Sequence, residues 1–325
     1  MKETILRLLR ERSPEFISGE EICKSLNVTR TAIWKHIQTL RESGYEIEAR
    51  PRAGYSLTAV PDRLYPNEIL AGLSTLFLGR EIYYFDTLST TNDKAKELAY
   101  LGTPEGTIVV AEEQTGGKGR LGRHWFTPKY KGILVSMVLY PPVLPLEANQ
   151  ATMLSAVAVA SAIEQKTGLK TGIKWPNDLL VGGKKICGIL TELGAEMAKI
   201  NYLVIGIGIN TNQDAIDFPV ELQGVATALK NELKRKVNRV RLLQAMLVEF
   251  ERWYQVWLEQ GFAPVLARWK DLSVSLNCPV RISTPNDYWD GWAEDVGKDG
   301  ALLLRLPGGE LKRVVSGEVS LRLPE

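Results

Sequence analysis

Gln114-Thr115-Gly116-Gly117-Lys118-Gly119-Arg120-Leu121-Gly122-Arg123-His124-Trp125 is the stretch whose reading separates two folds. Residues 117–122 match G-x-G-x-x-G and follow a strand-like run, Thr107 to Glu113, so a dinucleotide-binding turn must be tested. Such a turn opens directly into a helix whose N-terminus holds a pyrophosphate. Here the chain continues Arg123-His124-Trp125-Phe126-Thr127-Pro128, which is aromatic, contains proline and does not read as helix. The acid expected about twenty residues further on, after a second strand, is also missing. A doubly wound dinucleotide fold is therefore rejected. What remains is a loop whose glycines let backbone approach a ligand, with Lys118, Arg120 and Arg123 supplying positive charge. Backbone amides and these cations suit a carboxylate and a phosphate together. A solvated basic loop has the same composition, and no G-x-x-x-x-G-K-[ST] signature is present.

Strand and helix patterns alternate on either side of this loop. Strands are expected at Glu81–Phe85, Thr107–Glu113, Gly132–Tyr140, Lys170–Trp175, Leu179–Val181, Lys185–Leu193 and Asn201–Ile209. Helices are expected at Thr91–Leu101, Glu147–Thr167, Val240–Glu259 and near Pro264–Trp269. Gly182-Gly183 joins two of the strands as a hairpin turn. Shared hairpins imply a mixed sheet and an α+β class.

Two further groups of residues draw attention. In Lys174-Trp175-Pro176-Asn177-Asp178, Trp before Pro favours extended backbone and leaves Asn177 and Asp178 at a strand end. In the following Lys184-Lys185-Ile186-Cys187-Gly188-Ile189-Leu190, alternation puts Lys185 and Cys187 on one face and Ile186 and Gly188 on the other. A lysine at a strand start is usually a solvated end, but Gly188 leaves room there for a ligand. Gly206-Ile207-Gly208-Ile209-Asn210 places two glycines in a strand, which weakens it unless something approaches closely; tight sheet packing is the plainer explanation.

The first sixty or so residues read differently. Ile5, Leu6, Leu8 and Leu9 recur at helical spacing, Ser18 or Gly19 caps a helix over Glu20–Leu26, and another runs from about Thr29 to Ser43. Two short extended pieces follow, Tyr45–Ala49 and Gly54–Thr58. This is a helix–turn–helix with a wing. The outer face of the second helix carries Thr29, Arg30, Thr31, Trp34, Lys35 and Gln38, and the wing carries Arg50 and Arg52. Those side chains suit phosphates and base edges, against a plainer reading as a docking module with a solvated face. At the other end, residues from about 275 show short strands with turn signals at Pro285-Asn286-Asp287, Lys298-Asp299-Gly300 and Pro307-Gly308-Gly309, the pattern of a small barrel.

Composition limits the alternatives. A chain of 325 residues implies two or three domains, expected at 1–62, 63–272 and 273–325. The formal charge of +2 makes DNA contact a local matter, not a property of the whole chain. Arg30, Lys35, Arg41, Arg50 and Arg52 supply that local patch. Cys23, Cys187 and Cys278 are too far apart and too few for a disulfide framework or metal pair, in keeping with a reduced cytoplasm. No signal peptide or membrane span is expected. With only two histidines, His36 and His124, no convincing Ser-His-Asp or Cys-His set exists.

Taken in order, the winged head, glycine/arginine loop, KWPND box, KKICGIL strand, GIGIN strand and closing Ser316-Gly317-Glu318-Val319-Ser320-Leu321-Arg322 resemble the biotin–protein ligase family over essentially the whole chain. The head makes it similar to the bifunctional class, which doubles as biotin operon repressor. The resemblance implies a winged helix–turn–helix, a central mixed-sheet domain of class II synthetase-like type and an SH3-like C-terminal barrel. It implies ATP-dependent formation of biotinyl-5′-AMP and transfer of biotin to a lysine of a biotin carboxyl carrier protein. It implies Mg²⁺ as cofactor, operator DNA as a further partner, and a homodimer when the adenylate is bound.

Residue by residue, the resemblance assigns biotin to Thr90, Thr91, Asn92, Gln114, Gly117, Lys118, Gly119, Arg120, Lys185, Gly188 and Leu190. It assigns the nucleotide to Arg120, Arg123, Trp125, Asn177 and Asn210, and the metal to Asp178. Lys185, Arg120 and Asp178 are the expected catalytic groups. Lys185 is expected to hold the carboxylate, and Arg120 to order the loop. The segment Thr211–Gly224 is expected to cover the adenine.

Overall fold

A computed structural model describes residues 1–196, 199–284 and 287–321. Pro285, Asn286 and Arg322, which carry part of an expected turn and of the closing motif, lie outside the described residues. Contacts divide the chain into two units, Met1–Arg63 and Leu64–Glu325.

In the first unit, α1 (Lys2–Arg12), α2 (Gly19–Leu26) and α3 (Arg30–Glu42) precede a hairpin of β1 (Glu46–Arg50) and β2 (Gly54–Ala59). Ile5, Leu6, Leu9, Ile22, Ile33, Ile37 and Leu40 are buried and form its small core. Ser18 caps α2 by accepting from Glu21 N, and Thr29 caps α3 by accepting from Ala32 N at 3.3 Å, each satisfying an orphan amide of the first turn. Asn27, in left-handed conformation, ends α2 and makes the turn between them.

The second unit begins with α4 (Pro66–Leu70), a short helix not expected from the sequence. Then come β3 (Ile82–Phe85), α5 (Thr91–Tyr100), β4 (Ile108–Ala111), β5 (Gly132–Leu139) and α6 (Ala148–Thr167). β6 (Gly172–Lys174), β7 (Asp178–Val181), β8 (Lys184–Glu196) and β9 (Lys199–Asn210) follow, then α7 (Leu229–Leu233), α8 (Arg239–Gln260) and α9 (Ala263–Leu272). The sheet runs β3-β4-β5-β9-β8-β7-β6, with β3 and β4 parallel and every other pair antiparallel. α6 is buried on nearly every side, between this sheet and helices α8 and α9, which explains its Ala- and Val-rich composition.

β10 (Pro279–Ser283), β11 (Tyr288–Val296), β12 (Leu302–Arg305), β13 (Leu311–Val314) and β14 (Glu318–Ser320) form a separate antiparallel sheet, in the order β13-β12-β11-β10-β14. Its buried Val280, Ile282, Leu302, Leu304 and Val319 belong to the same core as Trp175 and Trp257. Trp175 ties the two sheets together, donating Nε1–H to the Gly300 carbonyl at 3.0 Å.

A buried ion pair fixes one flank of the mixed sheet. Arg239 Nη1 lies 2.7 Å from Glu112 Oε2, both side chains are fully buried, and the same nitrogen donates to the Gly132 carbonyl at 2.9 Å. Glu112 Oε1 accepts from Leu64 N at 2.8 Å.

Candidate functional site

A cavity of about 650 Å³ opens on the mixed sheet. Its floor is backbone. Gly188 on β8 pairs with Gly208 on β9, and Leu190 pairs with Gly206. A Cβ on Gly208 would sit 2.4 Å from the Trp125 indole, and one on Gly206 would sit 2.0 Å from Asn92 Oδ1. Close approach of two side chains, not tight sheet packing, therefore accounts for the glycines of this strand.

The expected alternation along 185–188 is wrong. Leu179 pairs with Cys187 but Leu180 pairs with Lys185, so Ile186 is an extra residue on β8. This bulge rephases the strand. Lys185 and Gly188 both line the cavity, and Cys187 is fully buried in the core, where desolvation pushes its thiol pKa far up.

One end of the cavity is an uncharged hydrogen-bonding cradle. Thr90 caps α5, its Oγ1 accepting from Asn92 N at 3.2 Å. Gln114 Oε1 accepts from Thr91 N at 2.7 Å and from Thr91 Oγ1 at 2.9 Å. Ser136 on β5, a lone polar residue in an apolar strand, bonds Asn92 Oδ1 at 2.6 Å and lies 2.7 Å from Thr91 Oγ1. Asn92 Nδ2 donates to Glu192 Oε2 at 2.7 Å. Each amide and hydroxyl is thus held in one orientation before any ligand arrives.

The other end is cationic. Lys185 Nζ lies 2.6 Å from Asp178 Oδ1 and 5.5 Å from the centre of the Trp125 ring, and Lys174 Nζ is 3.5 Å from Asp178 Oδ2. Asn177 Nδ2 donates to the Ile189 carbonyl at 2.7 Å. Arg120 Nη1 reaches Asn177 Oδ1 at 3.4 Å and the Gly317 carbonyl at 3.3 Å. Burial holds the Arg120 guanidinium below its ordinary pKa, with Asp178 and Glu318 opposing.

The glycine-rich loop closes the side of the cavity as a narrow hairpin. Lys118 pairs with His124, and Leu121 and Gly122 turn the chain with positive φ. Lys118 Nζ is 2.7 Å from Asp93 Oδ2, and Arg123 is ion-paired with Glu318. Burial raises the Asp93 carboxyl, but Lys118 and Lys96 outweigh it and the pKa ends below the usual range.

Thr90, Thr91, Asn92, Gln114, Lys118, Gly119, Arg120, Arg123, Trp125, Asn177, Asp178, Lys185, Gly188, Leu190 and Asn210 all line this one cavity. Gly117 does not; it packs against the Trp125 carbonyl, where a Cβ would sit at 2.3 Å. Sequence reasoning missed the wall given by Ser283, Glu318 and Ser320; Phe218 and Leu222, inside the expected 211–224 segment, line the cavity together with Val225 as an apolar strap. The strap joins β8 through Lys185 N to Val225 O at 2.8 Å and Thr227 N to Lys185 O at 2.9 Å.

In the first unit Thr29, Arg30, Thr31, Trp34 and Lys35 are exposed along α3, with Gln38 half-buried. Arg52 is exposed beside the wing turn, and exposed Arg50 bonds Glu48 at 2.8 Å and lies over Phe16. Arg41 is committed elsewhere, donating to the Ile47 carbonyl at 2.6 Å, so it holds the wing to α3.

A ligase domain behind a helix–turn–helix head is also what comparison with known proteins returns. Residues 84–210 match the biotin/lipoate A/B protein ligase family, residues 2–56 an HTH domain, and residues 275–322 the biotin protein ligase C-terminal domain. The bifunctional ligase/repressor BirA of Bacillus subtilis (strain 168) is 40% identical over 99% of this chain and 98% of that protein. The BirA of Escherichia coli (strain K12) is 32% identical over 96% of this chain and 94% of that protein. Among solved structures, a biotin protein ligase from Aquifex aeolicus in complex with biotin and ATP has a TM-score of 0.65 at 27% identity, covering 75% of this chain and 99% of that one. The chain belongs to the bifunctional biotin ligase/repressor family.

Proposed function

We propose that the chain adenylates biotin with ATP, transfers biotin to a lysine of a carboxyl carrier protein, and represses transcription through its N-terminal head. The observation that carries this is the cavity's division into a neutral amide and hydroxyl cradle and a lysine/arginine end, on a glycine floor. A neutral ring such as the biotin ureido group suits the first. A carboxylate beside a phosphate suits the second. The carboxylate oxygen attacks the α-phosphorus, the bond to the bridging β-phosphate oxygen breaks, and pyrophosphate leaves. The acceptor amine then attacks the acyl carbon of the mixed anhydride, the acyl–oxygen bond breaks, and AMP departs. Lys185 holds the carboxylate and offsets the charge gathering at the α-phosphate; Arg120 orders the loop over the adenylate. Catalysis here is positioning and charge stabilisation, without a covalent nucleophile.

Mg²⁺ fits one feature of the cavity. Asp178 Oδ1 is buried and accepts no hydrogen bond, its partner being the Lys185 ion contact. Among the described residues no group of three His, Cys, Asp or Glu could hold a metal alone. That agrees with an ion bound mostly by water and substrate phosphates, with Asp178 as its carboxylate. Bound there, the ion would neutralise phosphate charge.

The deciding experiment is exchange of labelled pyrophosphate into ATP with biotin, with lipoate, or with neither. Exchange that requires biotin is expected; exchange with lipoate alone, or none, overturns the ligase reading. Run against Mg²⁺ concentration, Asp178→Asn is expected to need more metal, and an unchanged requirement removes Asp178 from the metal site.

The three-part division at residues 62 and 272, a cytoplasmic location, and dimerisation on adenylate binding complete the proposal. Among the described residues no helix is long and apolar enough to cross a membrane. For the head, Arg30→Ala should lower the slope of log affinity against log salt for duplex DNA by about one, as one lost phosphate contact requires. An unchanged slope would place Arg30 off the DNA.

A further inference from the structure

A carboxylate outside the cavity is wired to its neutral end. Glu192 lies on β8 two residues beyond Leu190 and does not line the cavity. Its Oε1 takes the Lys96 ammonium at 2.7 Å, and its Oε2 accepts from Asn92 Nδ2, also at 2.7 Å. An ion pair between two part-exposed side chains contributes little by itself. The second oxygen is different, because it decides which way round the Asn92 amide sits. Asn92 Nδ2 faces that carboxylate and the Leu190 carbonyl at 3.3 Å, so turning the amide over would set its oxygen against two acceptors. Asn92 Oδ1 therefore faces Ser136 Oγ at 2.6 Å, and an amide oxygen can only accept. That commits the one hydrogen of the buried Ser136 hydroxyl. Ser136 has none left for Thr91 Oγ1, 2.7 Å away, so the Thr91 hydrogen goes to Ser136 or to Gln114 Oε1 at 2.9 Å. With either choice, Thr91 Oγ1 can only accept from a ligand.

We propose that Glu192 is a positioning residue: acting through Asn92 and Ser136, it fixes Thr91 Oγ1 as a hydrogen-bond acceptor, so that the cradle selects an acid whose ring presents an N–H there. The chain of bonds has one direction, and the carboxylate at its end strengthens each bond in turn. With Asn92 turned over, Nδ2 would face Ser136, the Ser136 hydrogen would pass to Thr91, and a Thr91 lone pair would be spent inside the protein. Glu192 touches no ligand in this scheme. It sets the polarity of a hydroxyl that does.

The inference rests on the biotin reading of the cavity, and the test separates the two. Pyrophosphate exchange is measured on the full chain for wild type, Glu192→Gln, Lys96→Met and the double variant. Biotin is compared with two cyclic carbamate analogues, in each of which a ring oxygen replaces one ureido N–H. Wild type should disfavour one of them by roughly 10–100-fold in kcat/KM, as expected when two buried acceptors are left facing each other. Glu192→Gln keeps the shape of the side chain. Lys96 then claims the new amide oxygen, and the new NH₂ group meets Asn92 Nδ2 and turns that amide over. KM for biotin should rise about tenfold, the size of one weakened hydrogen bond, while KM for ATP and the thermal midpoint hold. Discrimination against the disfavoured analogue should fall to within a few-fold. Lys96→Met alone should resemble wild type. Added to Glu192→Gln, it should restore KM for biotin and the discrimination, because the amide oxygen is then free to face Asn92. Wild-type behaviour in Glu192→Gln, or a double variant no better than Glu192→Gln, overturns the proposal. So does equal use of biotin and both analogues by wild type. A Glu192→Gln chain that fails to fold, or that loses ATP affinity as well, makes Glu192 a structural residue and the proposal wrong. Absence of any biotin-dependent exchange in wild type would instead sink the ligase reading.

Discussion

Lys185→Ala is expected to reduce biotin-dependent pyrophosphate exchange by about 10²–10³-fold, the value of one preorganised donor at a developing charge. The ammonium sits at the cationic end of the cavity, 2.6 Å from Asp178, on the bulge that turns it inward. Its side chain is 34% exposed, so it is not part of the core, and the thermal midpoint should hardly move. Lys174 remains 3.5 Å from Asp178 to compensate that carboxylate after the change. Lys185→Arg should recover little, because a planar fork cannot replace a compact ammonium beside the Trp125 ring. Single-turnover formation of the adenylate, followed with labelled ATP, is the clean measurement. Near-normal exchange in Lys185→Ala would remove the residue from the chemistry.

The largest effect on stability is expected at Glu112 and Arg239. Arg239→Met leaves a fully buried carboxylate whose Oε1 accepts from the Leu64 amide and whose Oε2 has lost its cation, and breaking a buried pair in this way costs about 3–5 kcal/mol. For a domain of this size that corresponds to a fall in thermal midpoint of roughly 10 °C. Glu112→Leu combined with Arg239→Met should recover most of the loss, since it removes both charges at once. The recovery should be incomplete, because the Gly132 carbonyl and the Leu64 amide each lose a partner. Thermal unfolding of the two single variants and the double variant tests this directly. A double variant as unstable as the singles would mean that the pair contributes through those backbone bonds and not through its charges.

How much of this was legible beforehand depends on how far apart in sequence the contributing residues are. The winged head could be read from helical periodicity and from Ser18, which caps α2 through its near neighbour Glu21. The mixed sheet could be read from Gly182-Gly183, whose two positive φ values make the β7–β8 turn. The loop could be recognised as something other than a dinucleotide turn from Trp125 and Pro128. The orientation of Lys185 could not, because strict alternation has no place for the extra residue Ile186. Nor could the contribution of Gly317 and Glu318, which meet Arg120 and Arg123 across 197 and 195 positions of chain. Ser136 carried a usable signal, a hydroxyl inside an otherwise apolar strand, and its meaning appeared only when α5 placed Thr91 and Asn92 over it.

The backbone floor sets the direction in which substrate scope can be engineered. At Gly188, Gly206 and Gly208 the side-chain volume is already the smallest available, so any replacement there narrows the chamber. Room for bulkier analogues of the bound acid has to come from the aliphatic walls, at Leu134, Leu190 or Ile207. Trimming those walls removes apolar burial, so each gain in breadth is drawn from the same aliphatic packing that stabilises the sheet.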